Sequence, residues 1–126
     1  MRVFKTRSFA RFARGEGISD DMLAKVIHDA EKGLIDADLG GGLIKLRVAR
    51  PGGGKRGGYR TLIAYRTGVC AVFLFGFAKS ERANVSTDQL ADLKDVSSEI
   101  LSRGEDLISE EVAERRLLEV LYDEDE

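Results

Sequence analysis

With a single cysteine, Cys70, the chain cannot form an internal disulfide and has no Cys-rich metal site. Its one histidine, His28, removes nearly every His-based metal constellation. Long apolar runs are missing as well. The longest, Val69 to Ala78, falls far short of the roughly 20 residues that cross a bilayer. No charged-then-apolar leader opens the chain, so the expected setting is a reducing cytoplasm, away from any membrane. What is present is globular in kind. Of 126 residues, 43% are hydrophobic and 33% charged, which supports a core and argues against a disordered tail. The length suits one domain.

The net charge of −2 conceals an asymmetry. Residues 1–86 carry 16 Lys/Arg against 8 Asp/Glu, or +8, and residues 87–126 carry 4 against 14, or −10. Between 39 and 82 there are 9 basic residues and one acid, Glu81. Such a division points to a polyanionic partner for the basic part, or to neutralisation of that part by the acidic end.

Periodicity predicts the organisation. Val3-Phe4-Lys5 reads as an opening strand, and Ser8–Arg14 as a short helix with Phe9, Phe12 and Ala13 on one side, broken by Gly15 and Gly17. Ser19 caps a second helix that has Asp20 and Asp21 in its first turn and Met22, Leu23, Val26, Ile27 and Ala30 as its stripe; Gly33 closes it. After the Gly40-Gly41-Gly42 turn the period becomes two, with Ile44, Leu46 and Val48 opposite Lys45, Arg47 and Ala49. Tyr59–Arg66 is a second strand, Thr67-Gly68 a hairpin turn, and Val69–Phe77 a central strand apolar on both faces. Ser86 and Gln89 form a capping box for a helix carrying Leu90, Leu93, Val96, Ile100 and Leu101, ended by Gly104. A last acidic helix, capped by Ser109, is expected to present Val112, Leu117, Leu118 and Leu121. The sum is a small α+β domain, with helices against one face of a mainly antiparallel sheet.

The glycine-rich stretch 50–58 fails as a nucleotide-binding P-loop, because Lys55 is followed by Arg56 and a strand comes next. It remains a basic loop, with Arg50, Lys55 and Arg56, whose bare backbone N–H groups suit a phosphate. Lys45 and Arg47 project from one face of the first strand of this region, and Arg60 and Arg66 from one face of the next. Whether those faces coincide depends on register, which alternation alone leaves open. Lys79 and Arg82 leave the end of the central strand. Cations bordering Tyr59 or Tyr65 suit single-stranded RNA, where arginines take phosphates and bases stack on rings. His28 reads as a solvated histidine, Cys70 as a buried thiol, and Asp36 and Asp38 as a loop pair without metal spacing.

Three segments resemble the RelE/ParE toxin superfamily: Gly41–Ala49, Gly54-Lys55-Arg56-Gly57-Gly58, and Tyr59-Arg60-Thr61-Leu62-Ile63-Ala64-Tyr65. Phe75-Gly76-Phe77-Ala78-Lys79-Ser80-Glu81-Arg82 strengthens the likeness, which is nearest a HigB-like branch and covers about residues 3–103. It implies a RelE-like toxin domain over 1–103, with 104–126 an acidic helix and tail of the same domain. It also implies the toxin of a type II toxin–antitoxin system: a metal-free, cofactor-free endoribonuclease that cuts mRNA on the ribosome. A cognate antitoxin, of helix-turn-helix type, would hold it inactive. The matching basic positions are Lys45, Arg47, Lys55, Arg60, Lys79 and Arg82. Ser80 stands where RelE has a basic residue, Ser86 where it has a tyrosine, and the histidines of another HigB group are missing.

Metal-free cleavage requires a deprotonated 2′-OH, stabilisation of charge on the phosphorane, and a proton for the 5′-oxygen. Arginine serves the second need by bidentate donation but is no base at neutral pH. A lysine crowded by cations gives up its proton more readily. The catalytic candidates are therefore Lys45, Lys55 and Lys79, with Arg60 as phosphate clamp, and the RNA-binding candidates Arg47, Arg50, Arg56, Tyr59 and Arg82. Two other readings stand beside this one: a ParE-like poison of DNA gyrase, and a non-catalytic binding or regulatory protein of the same fold. The acidic segment 105–126, packed beside the basic part, is expected to weaken RNA binding, so that its removal raises RNA affinity at low salt.

Overall fold

The computed structural model describes residues 1–50, 58–82 and 84–121. The chain runs through β1 (Arg2–Thr6), α1 (Arg7–Glu16), α2 (Asp20–Glu31), β2 (Ala37–Gly40), β3 (Leu43–Val48), β4 (Tyr59–Arg66), β5 (Cys70–Ala78), α3 (Thr87–Arg103), α4 (Glu105–Ala113) and β6 (Leu117–Glu119). The strands form one six-stranded sheet in the order β2-β3-β4-β5-β1-β6, antiparallel except where β1 runs parallel to β5.

Both faces of this sheet are covered, not one. Phe9 and Ala13 of α1 and Leu23, Ile27 and Ala30 of α2 pack on Ile44, Leu46, Val48, Ile63 and Phe73. On the other face Ile100 and Leu101 of α3 and Leu107 and Ile108 of α4 pack on Phe4, Leu43, Leu62, Ala64 and Val72. Leu62 and Ala64, on the face that the one-face expectation left open, are 1% and 0% exposed, and α3 is what covers them.

Local chemistry starts each helix. Thr6 Oγ1 accepts from Phe9 N at 3.1 Å to open α1, and Ser19 Oγ accepts from Met22 N at 3.2 Å to open α2. Gly15 lies within α1, and Gly17 ends it in the left-handed conformation. Asp20, in the first turn of α2, also receives Lys5 Nζ at 2.6 Å and Leu121 N at 2.9 Å, joining β1, α2 and the segment after β6. In the β2–β3 turn, Gly42 has φ +80°, and an added Cβ there would lie 2.1 Å from Leu101 Cδ1. Gly41 O accepts from Ser97 Oγ at 2.9 Å, so this turn is the seat on which α3 docks.

The C-terminal section departs furthest from the pattern. Gly104, not Ser109, precedes α4, and Ser109 lies within it. Residues 117–119 are a strand instead of the far end of an acidic helix. The chain reverses at Arg115, φ 60°, and β6 pairs with β1, Phe4 opposite Glu119 and Thr6 opposite Leu117. Without it β1 would be an open edge with unpaired N–H and C=O groups, and that long-range demand overrides the helical spacing. Leu117 and Val120 are buried as a result, while Leu121 stays 73% exposed. Val96 is likewise off the apolar side of α3, and buried Ser97 takes the facing position. Asp38, expected in a loop, belongs to β2, where its Oδ1 accepts from Gly40 N at 3.0 Å.

Gly42→Ala should lower stability by about 1–3 kcal/mol, because a non-glycine residue in the left-handed region is strained and Leu101 must also shift. Urea denaturation measures it. A midpoint equal to the parent's would mean that the turn does not hold α3 in this way.

Candidate functional site

Strand register brings the basic residues together. Arg47 lies opposite Arg60, and Lys45 opposite Leu62, in the β3–β4 ladder. Since Leu62 belongs to the α3-facing core, Lys45, Arg47 and Arg60 all stand on the α3 side of the sheet. Helix α3 buries this face as far as Leu62, and Arg60 lies beyond it. Arg47 is exposed, and Lys45 and Arg60 are half-buried.

A β-bulge supplies the rest of the surface. Leu62 pairs with Phe75 but Ile63 pairs with Phe73, so Leu74 is the extra residue in β5. Strict alternation would send Phe73, Phe75 and Phe77 to one face. Instead Phe73 enters the α1/α2 core, while Leu74 and then Phe75 both pack on the α3 side. Gly76 faces back toward α1, where an added Cβ would lie 2.5 Å from the Phe12 ring. Phe77, cross-strand from Arg60, returns to the α3 side. The two rings lie 6.1 Å apart, and the Arg82 guanidinium covers both, at 5.7 Å from Phe75 and 5.9 Å from Phe77.

The structure thus assembles Lys45, Arg47, Arg60 and Arg82 on one face, with Phe75 and Phe77 as its floor. Among the described residues none of these four cations makes an ion pair. Five carboxylates of residues 87–126 pair elsewhere: Glu105 and Glu119 with Arg2, Glu99 and Glu110 with Arg103, and Glu111 with Arg116. The hydrogen bonds of Arg2 and Arg116 hold the Glu119 and Glu111 carboxyls below the usual carboxylate range. The segment also supplies Leu107, Ile108 and Leu117 to the core, so deleting 105–126 would expose that core and would not test RNA binding alone.

Other sequence candidates lie elsewhere. Lys79 is exposed just past β5, its N–H bonded to Gly58 O at 3.2 Å, at the margin of the face. Tyr59 is on the opposite side, 2% exposed, edge-on to Phe12, with its hydroxyl donating to Glu16 at 2.9 Å. It is therefore a core ring and offers no stacking platform here. Arg50 follows it to that side, 5.7 Å from the Tyr59 ring. Lys55 and Arg56 lie outside the described residues. Sequence reasoning missed Phe75, Phe77 and the partnership of Arg82 with Gln89, whose Oε1 accepts from Arg82 Nη1 at 3.2 Å. The one legible signal was the pair of phenylalanines flanking Gly76.

His28 is exposed at the end of α2, and burial pushes the Cys70 thiol up. Among the described residues no three His, Cys, Asp or Glu are grouped to hold a metal, and no helix is long and apolar enough to cross a membrane. A cavity of about 180 Å³ at the outer edge of β3, lined by Val26, Asp29, Leu34, Asp36, Leu46 and Arg47, shares only Arg47 with the cationic face.

Tyr65 is also a core ring, its hydroxyl bonded to Glu31; burial, reinforced by that bond, pushes it up to about 12. Raised in the folded state from an unfolded value near 10, it stabilises the fold below pH 10, and that contribution fades as pH climbs from about 10 to 12. Ultraviolet titration should show a tyrosine ionising near pH 12 that Tyr65→Phe removes. Ionisation near pH 10 would contradict the burial.

The family described as "RelE toxin of RelE / RelB toxin-antitoxin system" matches the chain over residues 1–120. No curated protein matches it.

Proposed function

The chain belongs to the RelE toxin family and is the toxin of a toxin–antitoxin system, with an antitoxin as its partner; from that premise we propose that it is a ribosome-dependent, metal-free endoribonuclease that cleaves mRNA in the cytoplasm, nearest a HigB-like branch. One observation carries the proposal. Arg47 and Arg60 face each other across a strand pair, flanked by Lys45 and Arg82, and none of the four makes an ion pair with a described carboxylate. Like charges directly opposite destabilise a sheet. Their convergence is accounted for by an anion that bridges them, and an RNA phosphate fits.

In this reading Arg60 and Arg47 clamp the scissile phosphate and take the charge that develops on the phosphorane as the 2′-oxygen attacks. Lys45, two residues from Arg47 on the same face, takes the proton-transfer role at the 2′-OH. Lys79, at the margin, extends the path of the RNA. Arg82 holds a neighbouring phosphate. Sequestering this face is one way a helix-turn-helix antitoxin would silence the protein.

The test is incubation with translating ribosomes, read as cleaved mRNA. Cleavage of DNA stalled on gyrase would instead support a ParE-like action, and inertness in both assays a non-catalytic role. Arg60→Ala should reduce mRNA cleavage about 100- to 1,000-fold, the usual loss on removing one oxyanion-type donor. Its stability should change by no more than about 0.5 kcal/mol, since among the described residues Arg60 makes no ion pair. A folded Arg60→Ala variant as toxic on induction as the parent would remove Arg60 from the phosphate clamp.

A further inference from the structure

Arg82 is held by three partners, none of which carries charge. Past β5 the chain folds back, with Glu81 N at 3.0 Å and Arg82 N at 3.3 Å from Ala78 O, returning the Arg82 side chain over its own strand. There its guanidinium lies on the Phe75 and Phe77 rings and donates to Gln89 Oε1 at 3.2 Å. Gln89 is the third residue of α3, and its backbone N–H is capped by Ser86 Oγ at 3.1 Å. Its side chain, which a capping box would use to reach back to the cap, is turned to Arg82 instead.

A capping box accepts glutamate or glutamine at that position, and the helix dipole favours glutamate. A carboxylate there would also pair with Arg82 by charge. The neutral amide keeps the orientation and leaves the charge whole, and the rings do likewise, since a cation on an aromatic face is held without being neutralised. Phe77 is the cross-strand partner of Arg60, so the arginine held in this way stands beside the proposed clamp.

We propose that Gln89, Phe75 and Phe77 are positioning residues that hold Arg82 as a full, unneutralised cation for a phosphate of a single-stranded RNA. The inference rests on the reading of the cationic face as an RNA site. It concerns binding, and is separable from cleavage.

Gln89→Glu is the informative substitution, because it is nearly isosteric, keeps the acceptor and adds one charge. A purely structural role predicts that Glu is tolerated better than Ala, as the better helix-start residue. A positioning role that depends on charge predicts the reverse for RNA. The probe is a short single-stranded RNA followed by fluorescence anisotropy over a range of salt, with a thermal melt of each variant. Gln89→Glu should melt at or above the parent's temperature yet bind RNA more weakly at low salt. Its log–log salt slope should be shallower by about 0.7, the loss of one phosphate contact to a single strand. Gln89→Ala should keep nearly the parental slope, since Arg82 remains charged. Phe75→Leu should weaken binding and Phe75→Tyr restore it, because only the latter keeps a ring face. A Gln89→Glu protein with parental affinity and slope would overturn the proposal, as would a parent that binds no RNA. A parent that binds RNA but leaves mRNA on ribosomes intact would reject the nuclease reading while this test still gave its answer.

Discussion

A sheet whose two middle strands are apolar on both sides has to be covered twice, and most of the architecture follows from that demand. Ile63 and Phe73 need α1 and α2; Leu62, Ala64 and Val72 need α3 and α4. Helix α3 is seated by the β2–β3 turn, where Ser97 bonds Gly41 and Leu101 occupies the space in front of Gly42. Its apolar cover reaches Leu62 and leaves Arg60 beyond it. The uncovered end of the sheet is where polar side chains are tolerated, and it is filled by cations.

The same geometry pairs five carboxylates of residues 87–126 with other partners: Glu99, Glu105, Glu110, Glu111 and Glu119. Residues 104–120 add α4 to the core of one face and β6 to the free edge of β1, next to Arg2. A bare cationic surface on a protein of net charge −2 attracts a polyanion locally while the rest of the surface repels it, which favours a defined docking position over diffuse adhesion.

The bulge at Leu74 is a small irregularity with a large consequence. By inserting one residue into β5 it moves Phe75 and Phe77 out of the α1/α2 face and onto the face shared by Arg47 and Arg60. Arg82 is then given an aromatic bed on the cationic side, and Gly76 leaves room behind it for Phe12.

Read alone, the sequence determined what depends on near neighbours. The Ser19 and Ser86 caps, the alternation of Ile44, Leu46 and Val48, the bounds of β4, and the family likeness in Gly41–Tyr65 all rest on spacing within a few residues. The tertiary structure decided what depends on partners distant in the chain. Residues 117–119 became a strand because β1 had an edge to complete, although their leucines suit a helix equally well. Tyr59 went to the core and Arg60 to the open face because the β3–β4 register set Arg47 opposite Arg60. The bulge has only Gly76 nearby as a residue cue, yet it selects the face on which two phenylalanines lie. Periodicity states that successive side chains alternate; only pairing with another strand states which side is which.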